Sequence, residues 1–150
     1  MEIFFKFYHS ISHTFREFFV YHYSSLTFRA NIFALVIAAD ENPKLENFIT
    51  LKEIAMEIYN EDEKRANALL ITTKEIVNDI QKNKMSMDTL IDKIQQELHN
   101  TPRYANKIDS KTLLQFIPLA DDEDTKLYRQ NIIEFLEKCK NETLEKRKKK

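Results

Sequence analysis

Carboxylates cluster at two places in this chain. Asp40-Glu41, with Glu46 a few residues on, makes one group; Asp121-Asp122-Glu123-Asp124 makes the other. Clustered carboxylate oxygens suit a hard cation, because Ca²⁺ takes roughly six to eight oxygen ligands. Asp40, Glu41, Glu46, Asp121, Asp122 and Asp124 are therefore the candidate ligands for Ca²⁺ or Mg²⁺. The spacing is not that of an EF-hand, and the glycine that such a loop needs at its turn is missing. The same residues have a second reading. Carboxylates next to a helix N-terminus meet free N–H groups and the positive end of the helix dipole, so they cap helices without any metal.

Other side chains carry less chemistry. His9 and His13 stand four apart, which on a helix puts two imidazoles on one face, a spacing that can bind zinc. No cysteine lies near them and no glutamate completes an H-E-x-x-H pattern. His22 and His99 have no motif around them. Cys139 is the only cysteine; it precedes a Lys-rich end, has no visible base, and reads as a packing residue of a reducing compartment. The chain contains no glycine, which argues against a P-loop, a dinucleotide fingerprint and a hairpin-rich β fold. With no nucleophile–base pair and no cofactor loop, the chain reads as non-enzymatic, with no cofactor beyond a Ca²⁺ or Mg²⁺ ion at the acidic turns.

Helices must position these groups, since apolar residues recur at helical spacing throughout and no strand alternation of useful length occurs. Residues 2–22 form one amphipathic pattern. The next, 26–39, ends in Ile32 to Ala39 (IFALVIAA) and is apolar nearly all round, as a fully surrounded helix should be. Asn42-Pro43 is placed to start the helix at 45–59, Asn60 and Glu63 resemble a capping box for the following one, and Ser86 caps another. Thr101-Pro102 breaks the chain. A second apolar stretch, 109–119, has Pro118 near its end. After Asp122 comes a last pattern using Leu127, Ile132, Phe135, Leu136 and Cys139. In a chain without glycine, helix C-caps must use Asn or go without. The fold class is all-α: a single compact domain of about seven helices, with an apolar-helix/acidic-turn/helix unit at each end.

Composition agrees. A chain of 150 residues with 43% hydrophobic and 31% charged residues is one globular domain. A net charge of −1 gives no reason to expect nucleic acid. No apolar run approaches the ~20 residues of a membrane span, and the interrupted N-terminus is not a signal peptide. The two ends differ from the middle. Residues 1–23 form an aromatic segment, 24–140 the helical domain, and 141–150 a charged tail expected to fray or stay disordered. Phe4, Phe7, Ile11, Phe15 and Phe18 with Lys148, Lys149 and Lys150 are the candidate contacts to a membrane or partner. Three readings stand side by side: the first helix docks on the bundle, forms a homodimer face, or lies in a membrane interface.

The layout resembles the TerB-like family, an all-helical domain of tellurite-resistance proteins and of membrane-anchored J-domain co-chaperones. The residues that carry the resemblance are Ala38-Ala39-Asp40-Glu41 and Leu119-Ala120-Asp121-Asp122, and it covers about residues 28–139. Glu41 and Asp122 stand where the family has glycine. Glu46 approximates the family's later loop glutamate, and the matching position in the second unit falls near Tyr128. The J-domain's His-Pro-Asp signature is absent. The resemblance implies a non-enzymatic interaction or scaffold domain in a stress or envelope response, cytoplasmic or peripheral at the inner face of a membrane, with a protein partner. Two alternatives accompany it: a peripheral membrane-binding module using both chain ends, and a divalent-cation sensor using the acidic turns.

Overall fold

The stretch that is apolar on all sides is the centre of the molecule. In the computed structural model, which describes residues 24–149, α1 (Ser24–Ile37) is surrounded, and every residue from Ala30 through Ala39 is buried. Its one polar residue in that run, Asn31, donates from Nδ2 to Glu97 Oε1 at 2.6 Å, so the amide enters the core with a partner. Around α1 stand α2 (Leu45–Ile58), α3 (Glu63–Gln81), α4 (Met87–Asn100), a 3₁₀ helix (Pro102–Lys107), the single turn α5 (Ser110–Leu113), a second 3₁₀ helix (Leu114–Leu119) and α6 (Glu123–Lys148). Among the described residues there is no strand, and the elements form one all-α domain. α1 packs directly on α3, α4, α6 and the first 3₁₀ helix; α2 packs on α3 and on the second 3₁₀ helix.

Two turns show how a chain without glycine reverses direction. α2 ends with Asn60 at φ 52° and Glu61 at φ 66°. Glu61 N–H donates to Met56 O at 2.8 Å and Asn60 N–H to Glu57 O at 3.3 Å, the paired bonds of a Schellman ending. α3 ends the same way: Asn83 sits at φ 59°, Lys84 N–H reaches Asp79 O at 2.8 Å and Asn83 N–H reaches Ile80 O at 3.1 Å. Asparagine thus fills the left-handed position twice, as expected from its tolerance of that region.

The sequence expectations need four corrections. Asn60 does not cap α3, because it is already committed to the end of α2; Asp62 is the N-cap, accepting from Arg65 N–H at 3.3 Å. Asn42 does not cap α2, whose N-cap is Lys44 with no side-chain capping bond. The 109–119 stretch is α-helical for only one turn and then tightens to 3₁₀, with Pro118 inside and unable to donate. The charged end does not fray at 141: α6 continues through Lys148, with Lys146, Arg147 and Lys148 in its last turn where the helix dipole favours cations. Ser86 caps α4 as expected, accepting from Thr89 N–H at 3.0 Å. The helix expected over 2–22, with Phe4, Phe7, Ile11, Phe15, Phe18, His9, His13 and His22, lies outside the described residues, as does Lys150.

Candidate functional site

The two acidic turns, far apart in sequence, meet at one cleft. The α1–α2 turn contributes Ala38, Ala39, Asp40, Glu41 and Asn42; the start of α6 contributes Asp122, Asp124, Thr125 and Tyr128. The third wall is the Schellman ending of α3 and the first turn of α4, with Ile80, Gln81, Asn83 and Met87. The cleft has a volume of about 950 Å³. Its described lining holds four carboxylates and no Lys, Arg or His. Small side chains at Ala38 and Ala39, with Met87 and the exposed ring of Tyr128, give it apolar surface between the charges.

Local hydrogen bonds set the shape of each turn. Asp40 Oδ1 accepts from the N–H of Asn42 at 2.9 Å, closing the first turn on itself. Gln81 Nε2 donates to the carbonyl of Glu41 at 3.1 Å and ties that turn to the end of α3. Asp122 is the N-cap of α6: Oδ2 accepts from Thr125 N–H at 3.0 Å and Oδ1 from the Thr125 hydroxyl at 2.7 Å. The Thr125 hydroxyl and N–H together hold the Asp122 carboxyl below the usual carboxylate range. Lys44 forms an ion pair with Asp121, linking the start of α2 to the second acidic turn. That contact raises the Lys44 ammonium above its ordinary value.

Beneath the cleft lies a residue that the sequence reading did not single out. Arg129 is 0% exposed. Its Nη1 donates to Phe116 O at 2.6 Å and its Nη2 to Ile37 O at 3.1 Å. One guanidinium therefore ties the end of α1 to the second 3₁₀ helix, and at Ile37 O it joins the N–H of Asp40, which donates there at 3.2 Å. Burial pushes the guanidinium downward, and the nearby charge of Asp40 opposes that. The signal for it was present: Arg129, Ile132, Ile133 and Leu136 share one buried face, so the arginine occupies a core position of the helical pattern. Leu127, assigned to that face from the sequence, is instead 57% exposed.

Of the six candidate metal ligands, Asp40, Glu41, Asp122 and Asp124 line the cleft, whereas Glu46 and Asp121 do not. Glu46 is exposed in the first turn of α2, and Asp121 pairs with Lys44. Among the described residues, no three His, Cys, Asp or Glu side chains converge closely enough to hold a metal ion. Cys139 is buried on α6, and burial pushes its thiol up. Lys148 and Lys149 are exposed at the far end of α6. No helix among the described residues is long and apolar enough to cross a membrane. A scan of family models, a search of curated proteins and a search of solved structures each returned no match.

Proposed function

We propose that this chain is a non-enzymatic interaction domain of TerB-like type, which receives a basic segment of a protein partner in the cleft between its acidic turns. One observation carries the reading: two turns about eighty residues apart bring four carboxylates, unopposed by any cation of the described lining, to one cleft. Asp40, Glu41, Asp122 and Asp124 supply charge that attracts and orients a Lys- or Arg-bearing segment. Tyr128 and Met87 supply surface for one apolar side chain of that segment, since exposed aromatics at such sites serve as anchors. The Thr125 hydroxyl is engaged with Asp122, and no nucleophile–base pair lines the cleft among the described residues. Binding, not bond-making, is what these groups suit. The stress or envelope setting and a cytoplasmic location follow from the family resemblance and belong to the same proposal.

The test uses an oligolysine peptide bearing one tryptophan, titrated into the intact protein by calorimetry at low salt. Binding that weakens as salt rises is expected. Glu41→Lys combined with Asp124→Lys should abolish it while leaving the circular dichroism unchanged, since both side chains are exposed and neither caps a helix. Failure of the unaltered protein to bind the peptide at low salt would sink the proposal.

A further inference from the structure

A second cleft lies at the opposite end of α6. Successive turns of one face of α6 supply Cys139, Thr143 and Lys146, and across from them stand Gln95, Leu98 and His99 at the end of α4, with Pro102 beyond. The volume is about 650 Å³, within the range of small-molecule sites. Its floor is apolar, made by the buried Leu98 and Cys139 with Pro102. Its rim is cationic: Lys146, Arg147 and Lys149 are exposed there, against one carboxylate, Glu142. No ion pair among the described residues neutralises these three cations. An apolar floor under a cationic rim fits neither a free ion, which would leave the floor wet, nor a neutral apolar molecule, which would leave the charges unanswered. It fits an amphipathic anion.

We propose that this cleft seats the phosphate head group of an anionic membrane lipid, with the first part of an acyl chain against Leu98 and Cys139. A polybasic patch alone gives weak, salt-screened attraction to an anionic surface, and stable attachment needs a second, apolar contribution. Here both are built into one place, where the helix end that carries the cations also walls the apolar floor. The inference is independent of the partner cleft, which lies at the other end of α6.

Cys139 is the only thiol of the chain and sits in the floor, so its reaction rate with a small disulfide reagent reports occupancy. The intact protein is mixed with phosphatidylglycerol vesicles, phosphatidylcholine vesicles, or millimolar inorganic phosphate. Co-sedimentation with the anionic vesicles at low salt, together with a slowed Cys139 reaction, is the expected result; phosphatidylcholine should do neither. Lys146→Glu with Arg147→Glu should weaken vesicle binding by about tenfold or more. Gln95→Trp keeps every charge but fills the cleft, and should reduce vesicle binding and leave the Cys139 reaction rate the same with and without vesicles. Vesicle binding with no protection of Cys139, or undiminished binding by Gln95→Trp, overturns the proposal, because the tail's charge alone would then explain the attraction. Absence of vesicle binding also overturns it. Protection by inorganic phosphate without vesicle binding does the same, and assigns the cleft to a soluble phosphate ester instead.

Discussion

Arg129 reaches back 92 residues to donate a hydrogen bond to the carbonyl of Ile37. The contact joins the two apolar units of the chain through one side chain, because the same guanidinium holds Phe116 O. Both carbonyls belong to buried residues, and the Ile37 carbonyl uses a second acceptor position for the Asp40 N–H at 3.2 Å, so the guanidinium adds charge-assisted bonds to an interior that excludes water.

Arg129→Ala should therefore destabilise the domain by about 3–5 kcal/mol, combining the loss of two charge-assisted hydrogen bonds with a cavity. Arg129→Lys should recover only part of this, since a single ammonium does not reproduce a planar fork that reaches two acceptors in different directions. Urea denaturation midpoints measure both. Equal midpoints for Arg129→Ala and the unaltered protein would show that the bridge is dispensable.

Glu61 holds a left-handed backbone conformation without glycine's freedom to do so. A non-glycine residue there costs roughly 1–2 kcal/mol, against which glycine loses about 0.5–1 kcal/mol of unfolded-chain entropy. Glu61→Gly should thus stabilise by about 0.5 kcal/mol, a rise of one or two degrees in melting temperature. A drop would mean that the Glu61 side chain makes an offsetting contact.

Glu97 offers a pH test. Burial raises its carboxyl above the ordinary 4.5, while the Asn31 hydrogen bond and Lys93 oppose the rise. A raised folded value means that the native state binds the proton more tightly. The associated stability is complete below the ordinary value and is lost as pH climbs through the folded one. Glu97→Gln keeps an acceptor for Asn31 without the charge. It should melt above the unaltered protein at pH 7, with the gap closing toward pH 4. A gap that widens on acidification would reverse the assigned sign.

The acidic turns make a simple prediction about metals. Asp122 is engaged as a cap, Asp121 is paired with Lys44, and no three-ligand cluster exists among the described residues. Millimolar Ca²⁺ or Mg²⁺ should leave the melting temperature where chelator leaves it. The measurement is sensitive, because a hundredfold excess over the dissociation constant adds about 2.7 kcal/mol to stability. A cation-dependent rise that disappears in Asp40→Asn with Asp122→Asn would restore the sensor reading.

Much of this architecture is legible in the amino-acid sequence. The all-round apolar pattern of Ile32 to Ala39 identified the central helix, and Ser86 was a cap with a clear local signature. Asp122, one of the two readings left open for the second acidic turn, proved to be a cap as well. Asn60 misled because its local pattern matched two motifs, a capping box and a Schellman ending; backbone geometry, not residue type, decides between them. The 3₁₀ tightening at Leu114–Leu119 has no periodic signature, since its apolar residues serve either helix equally. Arg129 was missed because its partners are backbone carbonyls, which no side-chain spacing reveals.

α6 has 26 residues and spans about 39 Å from Glu123 to Lys148. It carries the acidic cleft at its start and the basic cleft at its end. At physiological ionic strength the screening length is about 8 Å, so the two ends lie nearly five screening lengths apart. Neither charge cluster senses what neutralises the other. A molecule standing on its basic end would hold the acidic cleft clear of the surface, open to a second ligand, with the helix as a rigid stand-off between two independent electrostatic contacts.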